Sequence, residues 1–96
     1  MIKLYDPKQI GSMVHVVLAR IQERQILLSK EEIATVVELF AEDFDKIVER
    51  MDKVETKYER KEDAYPEMDL EMQKIIDELI EISIKIHSND SNGIEN

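Results

Sequence analysis

The sequence predicts an all-α protein, folded as an antiparallel three-helix bundle with coiled-coil-like heptad seams and a long central helix. Apolar residues recur in alternating steps of four and three along three stretches of the chain, a spacing that keeps one side of a helix facing a partner. The 96 residues include only two glycines and two prolines, so few tight turns are available and a β-sandwich or barrel is disfavoured. The chain has no cysteine, which excludes disulfides and favours a reducing, cytoplasmic location.

The first helix is predicted over residues 7–28. Asp6 is placed to cap it, Pro7 suits the first helical position and Gln9 occupies the capping-box position. Tyr5 and Ile10 have the spacing of a hydrophobic staple. The apolar seam of this helix consists of Ile10, Val14, Val17, Ile21 and Leu28.

A second, longer helix is predicted over residues 30–62. Ser29 and Glu32 form a capping-box pattern, and Leu28 and Ile33 have the spacing of a staple across it. The short junction predicts that helices one and two are antiparallel neighbours. The apolar seam of this helix keeps the alternating spacing of four and three throughout, and it consists of Ile33, Val37, Phe40, Phe44, Ile47, Met51, Val54 and Tyr58.

The third helix is predicted over residues 66–87, because Pro66 disfavours a helix that continues from upstream. Residues 1–88 are then one helical domain and residues 89–96 a flexible tail. One alternative is left open: Ile80 to Ile86 and Met1 to Tyr5 alternate with period two, which is typical of paired strands. The helical seam consists of Met68, Met72, Ile75, Leu79, Ile82 and Ile86.

The chain is acidic, with a formal net charge of −9. Residues 64–96 hold eight acidic side chains and only two basic ones. This sign disfavours direct binding to nucleic acid or to anionic membranes, and no apolar run is long enough to span a bilayer. It permits an alternative function, in which the protein mimics nucleic acid and blocks a protein that binds DNA or RNA. The candidate mimic surface consists of Glu67, Asp69, Glu71, Asp77, Glu78 and Glu81.

The motifs of helical enzymes are missing. A di-iron site needs Glu-x-x-His, whereas Ser12 precedes His15 and Ile84 precedes His87 at that spacing. A magnesium-dependent nucleotide pyrophosphohydrolase, the less favoured alternative, needs carboxylates that point inward. Pairs such as Glu38 with Glu42 lie off the seam, so we expect them to face solvent. The sequence therefore predicts no enzyme activity, no metal site and no cofactor.

Interaction with a protein remains the leading prediction. If the third seam serves the core, Ile80, Ile84 and His87 are left over as a contiguous stripe, which usually marks a contact surface. The other interpretation is a core broader than the seams. We expect a non-enzymatic inhibitor, adaptor or assembly factor, of the kind that phages also encode, which forms a homodimer and binds another protein. A similar apolar excess on helix one consists of Met13, Val16 and Leu18.

Overall fold

In a computed structural model, the backbone is described for residues 7–95 and the side chains for residues 8–88. This part of the chain is all α-helical, as predicted, but it forms four helices packed together instead of three. They are α1 (Pro7–Arg24), α2 (Lys30–Glu42), α3 (Phe44–Glu55) and α4 (Lys61–Glu95). Residues 80–86 lie within α4, so the helix predicted there is confirmed and the alternative of a strand is wrong. The Asp6 cap, the Tyr5 staple and the strand at residues 1–5 lie outside the described residues.

Helix α1 ends four residues before its predicted end, because Gln25 adopts a left-handed conformation with φ of 54°. The Gln25 amide donates to the Gln22 carbonyl at 3.1 Å, and the Ile26 amide donates to the Ile21 carbonyl at 3.4 Å. These two bonds form a Schellman motif, which satisfies carbonyls left free at the end of a helix. The chain then turns through residues 25–29 into α2.

The predicted capping box at the start of α2 is confirmed. The Ser29 hydroxyl accepts a hydrogen bond from the Glu32 amide at 3.1 Å, and the Ser29 amide donates to the Glu32 carboxylate at 2.8 Å. Leu28 and Ile33, the predicted staple, are both half-buried against the core. The local sequence alone is thus sufficient to fix this helix start.

The predicted central helix is interrupted at Asp43, where φ is −96° and ψ is 10°. The Asp43 amide still donates to the Leu39 carbonyl at 3.1 Å, and the Ile47 amide donates to the Asp43 carbonyl at 3.0 Å. The break lies where the packing neighbours change: α2 packs on both α1 and α4, whereas α3 packs on α4 and makes no contact with α1. Helix α3 ends at Glu55, seven residues before the predicted end at residue 62.

Helix α4 begins five residues earlier than predicted and contains Pro66 within its second turn. Pro66 removes one backbone hydrogen bond, and its ring crowds the carbonyl four residues earlier. Two features favour the early start: Ala64 is completely buried, and Glu62 and Asp63 place negative charge at the helix N-terminus. Helix α4 continues to Glu95 and so includes most of the segment for which the sequence predicts a flexible tail, residues 89–96; the flexibility of that segment stays a prediction.

The core runs between α1, α2, α3 and one side of α4, and that side differs from the predicted seam. Ile75 and Leu79 are buried as predicted, but Ile82 and Ile86 are 44% and 42% exposed. The neighbouring stripe that includes Ile80 takes their place. No helix within residues 7–95 has the length and apolar content to cross a membrane. The buried core cluster consists of Met13, Val17, Ile21, Val36, Phe40, Ile47, Met51, Ile75, Ile76, Leu79 and Ile80.

Candidate functional site

An open apolar groove of about 390 Å³ lies between α1 and α2. Val14 of α1 forms one side of this groove, and Ile33 and Val37 of α2 form the other; all three are half-buried. Ala34 is exposed beside them. The two ends of the α2 side carry opposite charges, from Lys30 and Glu38.

The apolar surface extends along α1 beyond this groove. Ile10 is 42% exposed and Leu18 is 44% exposed, each four residues from Val14 and therefore on nearly the same side of the helix. Gly11, next to Ile10, faces open space, because a Cβ at this position would have no atom within 4 Å. We call this surface the α1–α2 face, and it consists of Ile10, Val14, Leu18, Ile33, Ala34 and Val37.

The predicted stripe on α4 is not a free surface. Ile80 is completely buried and Ile84 is packed against the core, so both stabilise the monomer. His87 is half-buried beside Thr35 of α2, with 2.9 Å between His87 Nε2 and Thr35 Oγ1. Because the Thr35 hydroxyl already donates to the Glu31 carbonyl, His87 Nε2 is assigned as the donor in this bond. The interpretation of a broader core therefore holds for these residues.

The predicted contact residues on α1 divide in the same way. Met13 is 3% exposed and belongs to the core, whereas Val16 and Leu18 are 37% and 44% exposed. Val16 borders a separate cleft of about 220 Å³ between α1 and α4. Only Leu18 of these three residues belongs to the α1–α2 face.

An ion-pair network joins α1 to α4. Arg20 donates from Nε and Nη2 to both carboxylate oxygens of Asp77, at 2.8 Å each, and Nη1 lies 3.1 Å from Glu23. Arg24 lies 3.5 Å from Asp77 and 3.6 Å from Glu81. Arg20 pairs with Asp77, and Arg24, one turn later in α1, reaches Glu81, one turn later in α4. The two helices therefore run parallel here. The hydrogen bonds from Arg20 hold the pKa of Asp77 below its usual value.

A second network joins α3 and its following loop to α4. Arg50 donates to Glu71 at 2.7 Å, while Lys57 and the Tyr58 hydroxyl donate to Glu67 at 2.8 and 2.6 Å. The hydrogen bonds from Lys57 and Tyr58 lower the pKa of Glu67. Since the later residue of the first segment pairs with the earlier residue of α4, these helices run antiparallel.

These networks occupy most of the predicted nucleic-acid mimic surface. Glu67, Glu71, Asp77 and Glu81 are paired with cationic side chains of the same chain, and Asp69 accepts a hydrogen bond from Gln73 at 3.0 Å. Only Glu78 of the six predicted residues is exposed without a partner among the described side chains. The acidity of α4 therefore serves largely to bind its neighbouring helices.

No group of three or more His, Asp or Glu residues within the described part of the chain could hold a metal ion. The α1–α4 cleft contains His15 and Arg20, but Arg20 is already engaged with Asp77. Glu38 and Glu42, one of the carboxylate pairs whose spacing would suit magnesium, are exposed on α2.

The α1–α2 face could be found from the sequence only in part. Val14, Ile33 and Val37 are assigned to the core by their seams, and their incomplete burial depends on how the helices pack. Searches against protein-family models, curated proteins and solved structures found no match to this chain. The α1–α2 face is thus identified as a candidate site from its own geometry.

Proposed function

We propose that this chain is a non-enzymatic protein that acts by binding another protein, and that the α1–α2 face is where it binds. The observation that carries the proposal is the groove itself: it is apolar, open and lined only by residues of α1 and α2. A helical partner that lays its apolar side into such a groove would use a common mode of peptide recognition.

The composition of the face supports the proposal. Scattered exposed apolar side chains need no explanation, but contiguous ones usually mark contact surfaces. Ile10, Val14 and Leu18 repeat every four residues along α1, beside the groove that Ile33 and Val37 line. A partner would bury this apolar area.

We also propose that α2 and α3 act as two halves of one central helix, so that the chain works as a three-helix bundle. A single residue, Asp43, separates the two helices, and backbone hydrogen bonds flank it on both sides. The predicted heptad positions Phe40, Ile47, Met51 and Val54 are all buried across this break. Continuity of the seam supports the interpretation of one broken helix.

The proposal is tested by photo-crosslinking from a defined position. A benzophenone amino acid replaces Ala34 in the full chain, and in a matched control it replaces Leu70, which is 56% exposed on α4. Each variant is irradiated in lysate of the native host, and adducts are analysed by mass spectrometry. We expect protein adducts from position 34 and few from position 70. Equal yields from the two positions, or none from position 34, would contradict the proposal.

A further inference from the structure

We infer that the partner at the α1–α2 face is a second copy of this chain, related to the first by a two-fold axis that passes close to Ala34. This inference rests on the proposed function and names the occupant of the groove. It makes the protein a homodimer in which α2 of one copy lies antiparallel to α2 of the other. Such an interface is isologous, since each copy offers the same surface.

The charges at the groove ends carry the argument. Lys30 and Glu38 both line the groove, and each lies four residues from Ala34, or about 6 Å along the helix axis. When two such helices lie antiparallel about Ala34, each Lys30 meets Glu38 of the second copy. A single chain therefore carries both halves of a self-complementary pattern, and the symmetric pair contains two ion pairs.

Lys30 and Glu38 are also without ion-pair partners among the described residues. Neither forms an ion pair with any described residue, whereas Arg20, Arg50 and Lys57 all pair with carboxylates of α4. The chain as a whole carries a charge of −9, which opposes self-association. Of the residues that line the groove, however, one is positive and one is negative, so the groove itself adds no net charge to this repulsion.

The small residues of the face permit close approach of a second backbone. Ala34 is exposed at the centre of the α2 side, and a Cβ at Gly11 would meet nothing within 4 Å. Glycine inside a helix costs about 1 kcal/mol relative to alanine, and no contact with a described residue requires it at position 11. Ile10 and Leu18, at 42% and 44% exposed, supply the apolar area that a second copy would bury.

Sedimentation velocity of the full chain tests the inference. We expect the wild type to sediment as a dimer, and Ala34→Arg to dissociate at least about tenfold more readily, because it places bulk and like charges at the axis. Leu18→Glu should act in the same direction. The matched control Leu70→Glu, which changes a more exposed residue on α4, should leave the dimer intact. Circular dichroism establishes that each variant keeps its helices.

A charge exchange tests the two-fold arrangement itself. Lys30→Glu and Glu38→Lys should each weaken the dimer about five- to tenfold, because each turns two attractive pairs into repulsive ones. The double variant K30E/E38K restores both pairs in reversed order and should recover the wild-type affinity to within about threefold. Failure of the double variant to recover would overturn this arrangement.

The remaining outcomes separate this inference from the proposed function. A wild-type chain that stays monomeric up to about 500 μM, a concentration at which a millimolar dimer would already be detectable, overturns the second copy as the occupant. If position 34 still crosslinks to a different protein, the proposed function stands with another partner. A dimer that tolerates Ala34→Arg but is broken by Ile82→Glu would place the interface on α4 and overturn the inference as well.

Discussion

Arg20 on α1 and Asp77 on α4 form a bidentate pair, with both carboxylate oxygens accepting hydrogen bonds at 2.8 Å. The two residues are 57 positions apart in the sequence, and the pair fixes α1 against α4, although α1 packs mainly on α2. Planar, two-point recognition of a carboxylate is the interaction for which arginine is best suited. This contact holds α1 and α4 together at the edge of the core, next to the buried residues of α1.

Asp77→Asn should reduce the dependence of stability on acid pH. The hydrogen bonds from Arg20 lower the pKa of Asp77 in the folded state. As the pH falls, Asp77 is therefore protonated in the unfolded chain before it is protonated in the folded chain. Stability from this pair is therefore present above about pH 4 and lost as the pH falls below it. Urea unfolding between pH 7 and pH 2 measures the effect.

For Asp77→Asn we expect a loss of about 1 kcal/mol at pH 7, since the side chain is partly exposed, and a flatter stability curve below pH 4. The control is Glu78→Gln, which neutralises the adjacent, unpaired carboxylate. If both variants give the same pH curve, the pair does not stabilise the fold.

Substitutions at Ile80 and Ile82 should separate the two possible core faces of α4. Ile80→Ala removes a fully buried side chain and should lower the free energy of unfolding by about 2–4 kcal/mol. Ile82→Ala changes a residue that is 44% exposed and should cost less than about 1 kcal/mol. Chemical denaturation measures both losses. A larger loss for Ile82→Ala than for Ile80→Ala would support the seam predicted from the heptad pattern.

Gln25→Gly should stabilise the protein. Gln25 is the only described non-glycine residue with a positive φ, at 54°, and glycine adopts this conformation without the steric cost of a Cβ. We expect the free energy of unfolding to rise by about 0.5–1 kcal/mol, read from the midpoint of urea denaturation. The control is Gln22→Gly, which places a glycine inside α1 and should lower the free energy of unfolding.

Ser29→Ala should weaken the start of α2. The change removes the hydroxyl that accepts from the Glu32 amide at 3.1 Å, and loss of such a cap costs about 1 kcal/mol. Thermal unfolding followed by circular dichroism measures the shift. Ser29→Asp keeps an acceptor at the cap position and should retain most of the stability, so equal losses in the two variants would argue against capping as the cause.

The features that the sequence predicts correctly are local ones. The capping box needs only Ser29 and Glu32, three residues apart, and the all-α class needs only the apolar rhythm. The core face of α4 is different, because the positions around Ile80 and Ile82 are apolar in two overlapping helical patterns. Which pattern is buried depends on where α2 and α3 lie, and that is not encoded in the spacing along α4 itself.

The candidate site was hidden for a related reason. Val14, Ile33 and Val37 follow the seam pattern, and full burial would require a neighbour on the outer side of α1 and α2. The ion pair between Arg20 and Asp77 has no signal in the local sequence, so the closure of α1 on α4 could not be predicted. How far these side chains are buried depends on how whole helices pack, which the heptad spacing does not predict.

The interruption at Asp43 separates two helices that have different packing neighbours. Beyond this residue α3 packs on α4 and not on α1, whereas α2 packs on both α1 and α4. A helix with fewer packing neighbours has less protected backbone amides, so the amide protons of α3 should exchange with solvent before those of α2. Local opening should therefore begin in α3, while α2, which forms one side of the α1–α2 face, stays protected.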